Sequence, residues 1–77
     1  MTKKAFLLLL DELIEAQPGT LNGTESLQQV AGWDSVVVLG FMALVDQQFS
    51  VAVSPMQLVE CKTVNDLVAL VGDKITP

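Results

Sequence analysis

The sequence predicts an all-α fold: a bundle of three main helices and one short one, with a long loop between the first helix and the second. Three observations lead there. Apolar residues recur at helical spacing in three segments. Helix-start signatures stand ahead of the segments that begin at Ser35, Pro55 and Val64. The interval from residue 17 to residue 34 is dense in turn residues and carries no such period.

Residues 3–16 read as the first helix. At about 100° per residue, Phe6, Leu10, Leu13 and Ile14 share one face, flanked by Leu7 and Leu9. Lys4, Asp11, Glu12 and Glu15 fall opposite. Leu8 lies among those charges and reads as a single exposed leucine. Pro18-Gly19 is expected to close the helix. Leu21, Leu27 and Val30 punctuate the loop that follows and are expected to pin it to the core. So long a loop in a small domain points to function rather than slack.

Residues 35–49 carry two conflicting patterns. Val36-Val37-Val38 favours a strand on local propensity. Val38, Phe41, Met42, Val45 and Phe49 form one helical face, and the segment is too long for an ordinary strand, so helix is the reading. Asp34 suits the N-cap, and Gly40 costs this helix about 1 kcal/mol relative to alanine. Phe49, Val51 and Val53 alternate in the connection beyond it. Ser54-Pro55-Met56-Gln57 then has serine at the N-cap, proline at N1 and glutamine at N3, which predicts a short helix over 55–60. Thr63-Val64-Asn65-Asp66 starts the last helix, over 63–74, with Val64, Leu67, Val68, Val71 and Ile75 as its stripe. Gly72 weakens its end and Pro77 follows. Phe6, Leu10, Leu13, Phe41, Val45, Phe49, Val64, Leu67 and Val71 are expected to fill the core.

Seventy-seven residues correspond to one domain, 1–77, and 51% hydrophobic content supplies its core. A net charge of −5 argues against nucleic acid and against anionic membrane surfaces. With one cysteine, Cys61, and no histidine there is no disulfide framework and no zinc site of the usual kind. Cys61, among Val59, Lys62 and Val64, reads as a small packing residue. The apolar run at residues 5–10 is interrupted by Asp11, Glu12 and Glu15 too soon for a leader, and no stretch has the length of a membrane span. A monomeric cytoplasmic protein is the expectation.

Ser35 is the chemically informative residue. It stands where a helix begins, and the first N–H groups of a helix are unpaired and lie at the positive end of its dipole. A phosphate ester on its hydroxyl would be favoured there. A nucleophilic role suits it poorly, because there is no histidine to act as base and the four lysines, Lys3, Lys4, Lys62 and Lys74, are remote in sequence. Trp33, just before the Asp-Ser pair, suits equally a partner contact or a lid on the loop.

Three segments at matching spacing resemble the acyl carrier protein family over essentially the whole chain. Asp34-Ser35-Val36 is similar to its Asp-Ser-Leu attachment motif, with valine for leucine. Phe49-Ser50-Val51 resembles its Phe-Gly-Ile, and Thr63-Val64-Asn65-Asp66-Leu67 its Thr-Val-Gly-Asp-Leu. The resemblance implies a four-helix carrier rather than an enzyme. A separate phosphopantetheinyl transferase, using coenzyme A and magnesium, would join 4′-phosphopantetheine to Ser35, with Asp34 supporting the modification. The arm's thiol would hold an acyl group as a thioester, loaded by a ligase or synthase of fatty acid or polyketide type and delivered to downstream biosynthetic enzymes. Tethering of this kind raises the cargo's effective concentration at each partner. The second helix departs from the family by keeping Asp46 but offering Val37, Gly40 and Gln47 where acids are common. With Val36, Leu39 and Ala43 facing outward, this implies specialised partners that dock largely by apolar contact on Val36, Leu39, Ala43 and Asp46. A peptidyl or aminoacyl carrier loaded by an adenylating ligase is the nearest alternative. A helical adaptor that is never modified is the other.

Overall fold

The computed structural model describes residues 1–76; Pro77 lies outside them. Its four helices are α1 (Lys3–Leu13), α2 (Ser35–Phe49), α3 (Pro55–Glu60) and α4 (Val64–Val71), with short 3-10 turns at Leu27–Gln29 and Gly72–Lys74. No strand occurs among the described residues; Val36-Val37-Val38 lies inside α2 and Val51 and Val53 lie in an unpaired connection.

Each helix begins where its cap dictates. The Thr2 hydroxyl caps α1 through the N–H of Ala5, and the carbonyl of Thr76 accepts the N–H of Lys3 at 2.7 Å. The Asp34 carboxylate caps α2. Reciprocal boxes cap α3 (Ser54 with Gln57) and α4 (Thr63 with Asp66). The predicted spans of α2 and α3 match the observed ones. The first helix ends earlier than the expected residue 16, and Pro18-Gly19 is not what stops it. The N–H of Ala16 donates to the carbonyl of Asp11 and that of Glu15 to Glu12, with Glu15 left-handed at φ 60°, a Schellman ending without glycine. Likewise α4 proper stops at Val71, and the 3-10 turn Gly72–Lys74 completes the predicted span.

Phe6 is the hub of the core. Its ring meets Phe41 edge-on at 6.2 Å and Phe49 at 5.8 Å, and Trp33 extends the chain by meeting Phe41 at 6.0 Å. Such offset contacts add to the area the rings bury. Phe6, Leu10, Phe41, Val45, Val64, Leu67 and Val71 are buried as expected, while Leu13 and Phe49 are only partly so. Leu13 lies over Gly40, where an added Cβ would come within 2.9 Å of a Leu13 methyl. The glycine that weakens α2 locally thus lets α1 approach it closely. Leu8 is exposed as expected.

Asp11 corrects the helical-wheel reading. Placed with the outward charges, it is in fact 1% exposed, on the same side as Leu7 and Leu10. Its two carboxylate oxygens accept the N–H groups of Gly19 at 2.9 Å and Leu21 at 3.0 Å. A buried carboxylate is tolerable because each oxygen has a donor. Leu21 and Leu27 are buried and Val30 packs on the core, so the long loop is pinned as its pattern suggested.

The loop is also stitched to the start of α4. The N–H of Leu27 donates to Lys62, and those of Val64 and Asn65 donate to Glu25 and Gly23. The last two are first-turn donors that α4 itself cannot satisfy. Gly23 has φ 113°, a conformation that strains any residue with a Cβ, and an added Cβ would also push the Asn65 side chain aside.

Candidate functional site

The loop delivers the chain to α2 through Trp33, Asp34 and Ser35. The N–H of Trp33 donates to the carbonyl of Val30 at 3.3 Å, and its ring leans on Phe41. Asp34 is extended, with φ −136° and ψ −177°, and its Oδ1 accepts the N–H of Val37 at 2.9 Å. One carboxylate thereby sets the start of the helix. Ser35 is the first residue of α2 and is exposed. The N–H groups of Ser35 and Val36 lie in the first turn, where the helix offers them no acceptor.

Val36, Leu39, Ala43 and Asp46 are all exposed, at spacings of three and four residues that put them along one side of α2. Val36 is 74% and Leu39 65% exposed. Asp46 is set apart from the rest. Eleven residues of helix place it about 16 Å along the axis from Ser35.

Beside Ser35 the surface falls into a groove of about 640 Å³ between α2 and α3. Val38, Leu39 and Met42 form one wall, and Pro55, Leu58 and Val59 the other. Leu27, Gln28, Trp33 and Cys61 complete it from the loop and the α3–α4 connection, and no ionised side chain lines it. The sequence reading missed this feature and missed α3 as a surface element. Met56 at 74% and Val59 at 82% exposure make α3 as openly apolar as α2. Their three-residue spacing after a strong helix start was the available signal.

Cys61 is half-buried, and its Sγ–H donates to the carbonyl of Gln57 at 3.4 Å. Burial, and then the charges of Asp66 and Glu60, push its thiol pKa above the ordinary value. The thiol therefore stays protonated and poorly nucleophilic at neutral pH. Among the described residues no group of three or more potential metal ligands occurs, and no helix is long and apolar enough to cross a membrane.

An accessible hydroxyl at a helix start, with first-turn N–H groups for a phosphate and an uncharged groove alongside, fits a phosphate-linked arm of largely neutral chemistry. The domain belongs to the class of phosphopantetheine carriers. The chain is a member of the family defined by a phosphopantetheine attachment site, which matches residues 5–71, and its cofactor is covalently attached 4′-phosphopantetheine. The acyl carrier resemblance and this match agree. Comparison with curated proteins and with solved structures gave no match. Carrier domains of this family work with a phosphopantetheinyl transferase and with biosynthetic enzymes that load and unload the arm.

Proposed function

We propose that Ser35 is the attachment residue and that the protein, as a single carrier domain without catalysis of its own, bears acyl groups as thioesters for a dedicated set of biosynthetic enzymes. The observation that carries this reading is the position of Ser35 at the first turn of α2, exposed and directly behind the Asp34 cap. In the transfer, Ser35 Oγ loses its proton and bonds to the pantetheine-side phosphorus of coenzyme A. The bond from that phosphorus to the bridging diphosphate oxygen breaks, and the nucleotide half departs. The base belongs to the transferase, since this chain has no histidine. The N–H groups at the start of α2 favour the resulting phosphate. Asp34, held by its bond to Val37, is the residue just before the hydroxyl, and its carboxylate would support the transferase's magnesium.

An acyl cargo is favoured over an aminoacyl one by the apolar surface within reach of the arm. The groove beside Ser35 has no ionised side chain to offset burial of an ammonium group. Val36, Leu39 and Ala43, with Asp46 at the far end of the stripe, are the proposed docking face.

The test is intact mass after incubation with coenzyme A, magnesium and a permissive transferase. The expected result is one phosphopantetheinyl group on the wild type and none on Ser35→Ala. Modification of Ser35→Ala would overturn the assignment, and an unchanged wild-type mass would favour the unmodified adaptor. Loading assays with acyl and aminoacyl donors then separate the two carrier types.

A further inference from the structure

The first turn of α1 is charged against its own helix. Lys3 and Lys4 are its first two residues, and no acid stands in that turn. The start of a helix is the positive end of its dipole, so cations there cost stability. The first turn of α4, by contrast, holds Asp66. A local rule broken without a structural return marks a place shaped by function. Lys74 is brought to the same end, because its carbonyl accepts the α-amino group of Met1 at 3.4 Å. Three of the four lysines thus gather here, in a chain with nine acidic residues.

Lys3 and Lys4 line a recess of about 320 Å³ between α1 and the loop, with Leu7, Leu8 and Leu21 as its apolar part. Leu8 is 40% exposed and stands four residues from Lys4, on the same side of the helix. Lys3 stands in the same way to Leu7, and its ammonium group lies beside Gly23. The one acid in the lining is Asp11, whose two oxygens already accept the N–H groups of Gly19 and Leu21. Glu25, on the same loop, is likewise engaged by Asn22 and Gly23. The recess is far from Ser35. Gly32, which leads the chain towards α2, packs on Ile14 at the other end of α1. Ten residues of helix put Ile14 about 15 Å along the axis from Lys4.

We propose that this recess docks an acidic, apolar segment of a second protein, with an aliphatic side chain seated on Leu7, Leu8 and Leu21 and neighbouring carboxylates paired with Lys3 and Lys4. Charge selects the occupant, since a basic segment is repelled here. Successive helix residues diverge by about 100°, so the two ammonium groups flank the recess rather than converge. A segment with more than one acid meets both, whereas the single headgroup of a fatty acid does not. The site itself does not depend on Ser35. Its consequence rests on the carrier reading: one partner holds the domain by the start of α1 while Ser35 and the α2 face stay free for enzymes that work on the arm.

The probe is a capped peptide of alternating glutamate and leucine, titrated into the isotope-labelled protein and followed by amide NMR shifts, beside a counterpart with lysine for glutamate. Shifts at Lys4, Leu8, Leu21 and Asn22, weakening as salt screens the pairs and absent with the lysine peptide, are the expected result. Lys4 is exposed, so its variants test the site without touching the core. Lys4→Gln should bind about threefold more weakly, as loss of one exposed pair implies, and Lys4→Arg should bind like the wild type. Lys4→Glu should lose binding and gain in thermal midpoint, because it removes the conflict with the helix dipole. A lower midpoint in Lys4→Glu would show that the lysine serves the fold and would overturn the proposal. So would shifts confined to the α2–α3 groove, an equal response to the lysine peptide, or no response. Shifts at the recess on raising protein concentration alone would give it to a second copy, and shifts with decanoate but not the peptide would give it to a free amphiphile; either overturns a protein segment as occupant. With the peptide saturating, Ser35 should be modified at an unchanged rate, read by intact mass, and slowed modification would overturn the separation of the two faces. Ser35→Ala should bind the peptide like the wild type. If that variant still gains the prosthetic group, the attachment assignment falls while the recess stands.

Discussion

Asp11 and Leu21 are joined by a buried hydrogen bond: the carboxylate of α1 accepts the Leu21 N–H at 3.0 Å while its other oxygen holds Gly19. This pair fixes where the long loop leaves the first helix. Asp11→Ala would leave two N–H groups without their acceptor, at a cost of about 3 kcal/mol. Chemical denaturation should show that loss, and amide exchange should quicken at Leu21. A midpoint within experimental error of the wild type would show that water replaces the carboxylate and that the clamp is dispensable.

Ser50 ends α2 in the left-handed conformation, with φ 55° and ψ 36°. A side chain there is strained by about 1–2 kcal/mol, partly offset in a glycine variant by the greater freedom of its unfolded chain. Ser50→Gly should therefore stabilise the protein by about 0.5–1 kcal/mol without altering modification of Ser35. A destabilised variant would mean that the serine hydroxyl makes a compensating contact.

Two carboxylates link stability to acid. The N–H groups of Lys62 and Thr63 hold the pKa of Asp66 below the ordinary range. Burial opposes ionisation of Glu25, but the N–H groups of Asn22, of Glu25 itself and of Gly23 outweigh it and lower its pKa as well. A depressed folded-state pKa means that the unfolded chain binds protons first. The stabilisation is therefore present above the unfolded value, near about 4, and is lost as pH falls through the lower folded values. Denaturation midpoints should be flat from neutral pH to about 5 and fall below that. Asp66→Asn should shallow the acid limb; an unchanged limb would remove Asp66 from the linkage.

Docking on the α2 stripe should depend on apolar contact. Attraction between exposed charges fades as salt shortens the screening length to about 3 Å at 1 M, whereas apolar burial does not weaken in that way. With Val36 and Leu39 exposed and Asp46 distant, affinity for a cognate partner should change little with ionic strength and drop sharply in Leu39→Asp. Steep salt dependence together with an inert Leu39→Asp would show that charge elsewhere governs recognition.

Much of this architecture was legible because the caps are explicit. Asp34, Ser54 with Gln57, and Thr63 with Asp66 announce their helices within four residues, and α2 and α3 fall where those caps put them. The end of α1 was not legible, because its left-handed residue is Glu15, where a glycine would have given it away. Asp11 was misplaced for a related reason: a helical wheel sends charge outward, and the donors that permit its burial lie eight and ten residues downstream. The position of Ser35 at the start of α2 was readable from the Asp34 cap. The groove beside it was not, since it exists only once α3 packs across from α2.

The stitching of residues 23–27 to residues 62–65 bears on what the Asp-Ser-Val motif means. Trp33, Asp34 and Ser35 are presented by a loop whose register is set by backbone bonds to the α3–α4 junction, some three dozen residues further along the chain. A peptide containing the motif and α2 alone would keep the letters and lose the presentation. So would a chain truncated before Thr63. The placement of Ser35 is in this sense distributed: its neighbours in sequence start the helix, but residues far downstream hold the loop that leads into it.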